Sequence, residues 1–266
     1  MKELKVSEDT KDAVAAMYRP PAWAAGPDVG DDPCTGYVSE ADARFLWEFL
    51  LRERPRRVVE VGCAAGVSTS VLLAAMAEVR RREGEEVPRL DVFSFDVMKQ
   101  CYFDENRRVG SAVKEMVPDL AGNVLFCLGE HAHRAGRYFG EGSVEVVFID
   151  ANHRHPYPTL DLMSVLPILA PKAWVVLHDI GLPDITKRAE WREYGPQYLF
   201  EGWVGERLIA ETTGEEPANI GAIRMPGRVE DAVPALQGIL KGKEWEEEPV
   251  KGYLERAGLG GMVERG

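Results

Sequence analysis

The most informative pattern of apolar and polar positions lies at residues 57–73, where the sequence reads RVVEVGCAAGVSTSVLL. Val58, Val59 and Val61 form a nearly continuous β-branched run, which is typical of a parallel strand buried on both faces. From Ser68 onward the apolar residues return with helical spacing. The pattern therefore predicts a buried strand, a glycine-containing turn and the start of a helix.

The pattern of apolar and polar positions predicts further helices and strands along the chain, and together they indicate a fold class. It predicts a helix opening at residues 37–42 with Ser39 as its N-cap, and further helices at 107–117, 159–169 and 229–240. It predicts further strands at 90–96, 123–128, 144–150 and 173–177, and an antiparallel pair at 207–211 and 219–225. We therefore predict an α/β fold with a doubly wound, Rossmann-like sheet of seven strands, mostly parallel with an antiparallel edge strand.

Composition shifts at both ends suggest how the chain is organised. Residues 1–36 are rich in Pro, Gly and Asp and are expected to form an arm with a short helix. Residues 37–226 carry the predicted sheet, and residues 227–266 are expected to form a C-terminal helix and a charged tail. Because such an arm often covers a site or a neighbouring subunit, a homo-oligomer stays open.

Charge and cysteine usage narrow the class of protein. The chain has 266 residues and a formal net charge of -12, which argues against nucleic acid as its main partner. No apolar run approaches the ~20 residues that span a bilayer, so we expect no membrane association.

The cysteines are widely spaced and contain no C-x-x-C pair; they are Cys34, Cys63, Cys101 and Cys127. We expect reduced thiols and a cytoplasmic location.

The turn at residues 62–66 indicates which ligand the first helix receives. Gly62 and Gly66 bring the backbone close to a ligand, and Ser68 lies where helix N–H groups are unpaired. G-x-x-x-G lacks the third glycine of a dinucleotide fingerprint, and no G-K-[ST] follows it. Glu60 would repel a pyrophosphate but would suit the ammonium and sulfonium of S-adenosylmethionine (SAM). A branched side chain at Gly66 is expected to block this ligand while leaving the fold largely intact.

Two stretches carry a resemblance to a known family. E-V-G-C-A-A-G-V-S resembles the first motif of class I SAM-dependent methyltransferases, in the form E-x-G-x-x-x-G-x-S of their small-molecule O-methyltransferases. The later order of strand, D-x-x-H, helix, L-P-x-L-x-P, strand and H-D resembles the catalytic half of the same enzymes, particularly those that methylate hydroxyls in antibiotic and sugar biosynthesis. The resemblance covers roughly residues 37–225.

The resemblance extends the expected cofactor site. Asp96 ends the second predicted strand, where an acid can accept both ribose hydroxyls of an adenosyl group in either SAM or NAD, although it can equally cap a helix. In the resembling family the loop after the third strand lines the adenine, which implies Glu130 or His131. The expected SAM-binding residues are therefore Glu60, Gly62, Gly66, Ser68, Asp96, Glu130 and Asp150.

Acids and histidines cluster after the fourth and fifth predicted strands. Asp150, His178 and Asp179 follow strand ends, and the resemblance implies that they form a magnesium-type site. His178 stands where the family often has an acid, and an imidazole favours a transition metal over Mg²⁺. His153 is the expected general base, because an imidazole with a pKa near ~6.5 can take a proton at neutral pH. Activation of the acceptor by metal or by base stays open.

These features point to an enzyme that moves the methyl of SAM to a hydroxyl of a small molecule, with a divalent metal as an optional assistant. Two alternatives stay open: a non-catalytic SAM-binding protein, and a nicotinamide-dependent oxidoreductase. The aromatic stretch between the fifth strand and the antiparallel pair either shapes the acceptor pocket or packs against a helix; its aromatic residues are Trp191, Tyr194, Tyr198, Phe200 and Trp203.

Overall fold

The computed structural model of the chain describes residues 1–25, 37–85, 90–186, 194–212, 217–245 and 247–261. Cys34, Trp191 and most of the second half of the expected arm lie outside these residues. The chain forms two compact units, Glu3–Glu130 and His131–Gly266, and the second also includes Met1–Lys2.

The first unit contains three parallel strands. After β1 (Lys2–Leu4), its elements are α1 (Glu8–Met17), α2 (Glu40–Glu53), β2 (Val58–Val61), α3 (Val67–Glu83), β3 (Val92–Asp96), β4 (Gln100–Cys101), β5 (Asp104–Arg108), α4 (Val113–Met116) and β6 (Val124–Leu128). β3 pairs in parallel with β2 on one side and with β6 on the other. Every residue of β2 is buried, as its β-branched pattern predicts.

The start of α2 follows the prediction from sequence. The Ser39 side chain accepts a hydrogen bond from the Asp42 N–H, and the Asp42 side chain accepts one from the Ser39 N–H. This reciprocal capping box fixes where the helix begins. Phe45 and Phe49, one turn apart, are both fully buried on its inner face.

The helix expected at residues 107–117 is wrong. Residues 100–108 instead form the antiparallel pair of β4 and β5, and only Val113–Met116 are helical. Gly110 has φ 78°, which interrupts a helix, and its N–H donates to the Ala64 carbonyl at 2.9 Å. Because this N–H already bonds to the glycine turn, a continuous helix cannot include it.

The second unit carries the remaining strands and the C-terminal helices. Its elements are β7 (Val144–Ile149), α5 (Tyr157–Val165), β8 (Leu169–His178), α6 (Leu182–Thr186), α7 (Gly195–Gly202), β9 (Arg207–Ala210), β10 (Ile220–Arg224), α8 (Val233–Lys241) and α9 (Glu247–Ala257). β7 and β8 are parallel, whereas β10 is antiparallel to both β8 and β9. The predicted antiparallel pair is therefore confirmed.

The fold class is confirmed, with differences in detail. The short N-terminal strand β1 was not predicted from the sequence. The helix expected at 159–169 spans Tyr157–Val165, and a 3₁₀ turn containing Pro167 follows it. The tail has a second helix, α9, beyond the one expected. Three residues of β1 are too few to show alternation in the sequence.

The described cysteines Cys63, Cys101 and Cys127 are buried and free of disulfides. Within the described residues, no helix combines the length and the apolar character needed to cross a membrane.

Candidate active site

The glycine turn directly after β2 has an unusual backbone. Gly62, Ala64 and Gly66 all have positive φ, at 89°, 45° and 93°. Glycine adopts this region freely, but alanine does so at a cost. Such local strain persists where the surrounding structure enforces it, and it is frequent at ligand sites.

Asp96, at the end of β3, holds this turn. Its Oδ2 accepts hydrogen bonds from the N–H groups of Cys63 and Ala64, both at 3.1 Å, and its Oδ1 accepts one from Met98 at 2.8 Å. The Asp96 carbonyl also accepts bonds from the N–H groups of Gly129 and Glu130, at 2.7 and 3.3 Å. The structure therefore places Asp96 and Glu130 beside the glycine turn.

Glu60 lies in the interior of the first unit. The residue is fully buried, and its carboxylate accepts hydrogen bonds from Ser68, Thr69 and Ser94 at 2.6–2.7 Å. Ser68 therefore bonds to Glu60, while the N-cap of α3 is Gly66 without a side-chain cap. Sequence reasoning missed Thr69 and Ser94, since hydroxyls in a helix and a strand carry no distinctive spacing. Together these hydroxyls connect β2, β3 and the start of α3 through one carboxylate.

The second unit places three predicted residues together at the ends of β7 and β8. His153 Nε2 lies 3.0 Å from Asp150 Oδ1, and His153 Nδ1 lies 3.2 Å from Asp179 Oδ2. Donor atoms of these three residues all fall within 4.8 Å of one another. Asp179 has φ 60°, a left-handed conformation that aspartate tolerates better than most residues. The expected convergence at the strand ends is therefore present in this unit.

Two imidazoles control the charge of Asp150. His178 is buried, and its Nδ1 lies 3.1 Å from Asp150 Oδ1. Burial alone would raise the pKa of Asp150, but His178 and His153 outweigh it and hold that pKa well below its ordinary value. Burial alone would lower the pKa of His153, yet Asp179 and Asp150 raise it above its ordinary value. Asp150 and His153 therefore shift in opposite directions, as expected when a carboxylate and an imidazole each stabilise the charged form of the other.

Asn219 belongs to the cluster, although its role was not predicted. It precedes β10, and since Ile220 pairs with His178, Asn219 falls opposite Asp179. Its Nδ2 donates to Asp179 Oδ1 at 2.7 Å, while its Oδ1 is buried without a hydrogen-bond partner in the described structure. The strand was predicted from its pattern, but its register with β8 is not readable from one sequence.

Tyr194 is the aromatic of the 182–206 stretch that reaches this cluster. The residue is 3% exposed, and its hydroxyl lies within hydrogen-bonding distance of His153 Nδ1. By contrast, Tyr198 packs its ring on His155, with centroids 5.7 Å apart. Tyr194 therefore contacts the cluster, whereas Tyr198 packs against His155.

The donor set of the cluster fits a divalent metal. Asp150, Asp179 and Asn219 offer oxygens, and His153 and His178 offer imidazole nitrogens. The Oδ1 atom of Asn219 is buried and accepts no hydrogen bond from any of the described residues, so the loss of its hydration is uncompensated. Mixed nitrogen and oxygen donors suit first-row transition metals better than Mg²⁺, which prefers oxygen.

Comparison with known proteins gives one family match. Residues 59–180 match the family described as a methyltransferase domain. This segment contains the glycine turn, Asp96, Asp150, His153 and Asp179. No curated protein sequence matches the chain.

Solved structures share the fold. One is the O-methyltransferase TomG from Streptomyces achromogenes, which is involved in tomaymycin synthesis and was solved with SAM. It is 19% identical to this chain with a TM-score of 0.51, and the alignment covers 83% of this chain and 92% of TomG. An O-methyltransferase from Bacillus cereus, solved with SAH, is 16% identical with a TM-score of 0.51, covering 83% and 93%. At these identities the likeness shows the fold alone.

Proposed function

We propose, from the match of residues 59–180 to a methyltransferase domain, that the protein transfers the methyl group of SAM to a hydroxyl of a small molecule. The observation that carries the proposal is the placement of His153 between Asp150 and Asp179, at 3.0 and 3.2 Å. Methyl transfer to a hydroxyl requires removal of one proton and alignment of the reacting atoms. A histidine among carboxylates at strand ends supplies a group for the first requirement.

We propose that SAM binds at the glycine turn of the first unit. Gly62 is half-buried and has no side chain, which suits close approach by a ligand, while Gly66 lets the turn pack against Gly110. Three N–H groups bond to Asp96, and since a carboxylate has about four acceptor sites, capacity remains for a ribose hydroxyl. When bound, SAM supplies an electrophilic methyl on a sulfonium.

The other proposed cofactor residues act around this turn. Glu60 is fully buried and acts indirectly: it accepts hydrogen bonds from Ser68 and Thr69 and so fixes the start of α3. Glu130 and Asp150 are included among the proposed SAM-binding residues because the chain resembles the methyltransferase family.

We also propose that a divalent metal is held by Asp150 and Asp179, with His178 as the nitrogen donor and Asn219 as a further oxygen donor. Such an ion lowers the pKa of a hydroxyl. The two imidazoles make a transition metal a better fit than Mg²⁺. Asn219 also orients Asp179 through its Nδ2, at 2.7 Å.

His153 is proposed as the general base, acting through Nδ1. In the described contacts Nδ1 has two partners, Tyr194 and Asp179, whereas Nε2 has Asp150 alone. Because the Asp150 carboxylate can only accept a hydrogen bond, Nε2 carries the proton of the neutral ring, and the lone pair that takes a proton lies on Nδ1. Asp150, hydrogen-bonded to Nε2, stabilises the imidazolium that forms when the proton is taken.

A cytoplasmic location is part of the proposal. It is supported by the three described cysteines, which are buried and form no disulfide. The net charge of -12 supports a small-molecule acceptor over a nucleic acid.

Two measurements test the proposed function. Calorimetric titration with SAM and with NADH identifies the cofactor, and SAM is expected to bind while NADH is not. SAM carrying a tritiated methyl is then incubated with catechol, 4-hydroxybenzoate or methyl glucoside, each with Mg²⁺ or Mn²⁺, and label in the acceptor is counted. NADH binding without SAM binding would overturn the proposal. SAM binding without transfer to any acceptor would favour the non-catalytic alternative.

A further inference from the structure

The contact between Tyr194 and His153 joins the start of α7 to the loop after β7. The Tyr194 hydroxyl reaches His153 Nδ1, and the ring centroids lie 5.0 Å apart at an interplanar angle of 55°. Tyr194 is 3% exposed, so this hydroxyl is held away from bulk water. A buried hydroxyl gains most from a fixed partner, because leaving it unpaired is costly.

The backbone sets this contact independently of the side chains. The Gly195 N–H donates to the His153 carbonyl at 2.6 Å, and Tyr194 forms an antiparallel bridge with Arg154. A Cβ at Gly195 would lie 2.6 Å from Pro158 Cδ and 3.0 Å from the His153 carbonyl oxygen. Only glycine therefore lets this segment lie so close, and the position of the Tyr194 hydroxyl follows from the packing.

Asp150 and Asp179 cannot define the orientation of the ring in the same way. Both carboxylates only accept hydrogen bonds, and each lies beside a different ring nitrogen. Carboxylates would hold the ring equally well if the two nitrogens exchanged places. The tyrosine hydroxyl can both donate and accept, and it meets the ring at Nδ1 alone.

We propose that Tyr194 is a positioning residue whose hydroxyl fixes the orientation of the His153 imidazole, so that Nδ1 faces α7 and Nε2 faces Asp150. This inference rests on the proposed role of His153 as the base. Its consequence is that the aromatic stretch after β8 contributes to catalysis through the base rather than only through acceptor contacts.

The test compares Tyr194→Phe, at the N-cap of α7, with Tyr198→Phe, which removes a hydroxyl within α7 outside the cluster. Proteins labelled with ¹⁵N-histidine are examined by long-range ¹H–¹⁵N correlation, and the His153 signals are assigned by their loss in His153→Gln. Tyr194→Phe is expected to shift both ring-nitrogen signals of His153, and Tyr198→Phe is expected to leave them in place. Unchanged His153 signals in Tyr194→Phe would overturn the inference.

A measurement on the unsubstituted protein covers the case in which Tyr194→Phe fails to fold. A nuclear Overhauser contact between the His153 and Tyr194 rings is expected, and its absence would equally overturn the inference.

Turnover separates this inference from the proposed function. With whichever of the three acceptors is methylated, Tyr194→Phe is expected to lower kcat by about 10- to 100-fold through misplacement of the base, at an unchanged acceptor KM. In a His153→Gln background the same change should have no further effect, because the two residues act as one unit. Full turnover by His153→Gln would contradict the base assignment itself. A low rate for His153→Gln with normal turnover by Tyr194→Phe would contradict only the positioning role.

Discussion

Gly66 lies against the backbone of Gly110: a Cβ on Gly66 would come within 2.8 Å of the Gly110 Cα. The absence of a side chain at Gly66 therefore has a structural cause inside the first unit. The expectation that a branched side chain at this position would leave the fold largely intact is wrong, because it would push two backbone segments apart. Gly110 is restricted in turn, since its own Cβ would meet the Phe126 ring at 2.4 Å.

Gly66→Ala should lower the free energy of unfolding by about 2–4 kcal/mol, combining left-handed strain with this clash. Gly84→Ala is the matched control, because Gly84 also has positive φ but nothing lies within 4 Å of its Cβ position. The control should lose only about 1–2 kcal/mol in urea unfolding. Equal losses in the two variants would show that Gly110 does not restrict Gly66.

The Asp161 side chain gives the second unit a predictable pH dependence. Burial raises the pKa of Asp161 to about 7, although a hydrogen bond from the Tyr253 hydroxyl of α9 opposes the shift. The folded state therefore keeps a proton that the unfolded state releases at its ordinary pKa, near 3.8. The resulting stability is fully present below that ordinary pKa and is lost as pH rises toward about 7.

Asp161→Asn should remove this pH dependence, since a neutral amide can still accept from Tyr253. The difference in unfolding free energy between the variant and the parent should grow in favour of the variant by roughly 2–4 kcal/mol as pH rises from acidic to neutral. Asp119→Asn, at an exposed position, serves as the control. A difference between Asp161→Asn and the parent that does not change with pH would show that Asp161 ionises normally.

Metal binding can be measured without turnover. Titration with Mn²⁺, followed by electron paramagnetic resonance, should show binding that Asp179→Ala abolishes. Asn219→Ala should weaken binding by about 10- to 100-fold, because it removes an oxygen donor and the group that orients Asp179. Asn123→Ala, which removes an amide from the first unit, is the matched control and should bind normally. Binding of Mn²⁺ that neither Asp179→Ala nor Asn219→Ala changes would place the metal elsewhere.

The sequence was most informative where a local pattern of residues determines a local structure. The β-branched run of β2, the capping box at Ser39 and the glycine turn each follow from local chemistry, and the structure has all three. Both stretches that carry the resemblance to methyltransferases begin within residues 59–180, the segment that matches the family described as a methyltransferase domain. The proximity of Asp150 and Asp179 could be predicted because the carboxyl ends of parallel strands lie at the same edge of a sheet.

The sequence was least informative where distant segments meet. Asn219 comes beside Asp179 through the register of an antiparallel pair, and no local pattern encodes register. Gly110 breaks the expected helix because its N–H bonds to Ala64, a contact across 46 residues that no local window contains. The burial of Glu60 beneath three hydroxyls likewise depends on packing between a helix and two strands.

The base assignment predicts a selective loss of rate. His153→Gln removes the imidazole but keeps a polar side chain of similar length. It should lower kcat by about 10²- to 10⁴-fold, the usual effect of losing a proton acceptor. The affinity for SAM, measured by calorimetry, should stay unchanged, since SAM is proposed to bind at the glycine turn and the contacts of His153 are with Asp150, Asp179 and Tyr194.

Single-turnover transfer of a tritiated methyl group from saturating SAM, to whichever of the three acceptors is a substrate, tests whether this cluster carries out methyl transfer to a hydroxyl. The parent protein should transfer label in one exponential phase, and His153→Gln should do so about 10²- to 10⁴-fold more slowly at the same SAM occupancy. Equal single-turnover rates in the two proteins would contradict the account.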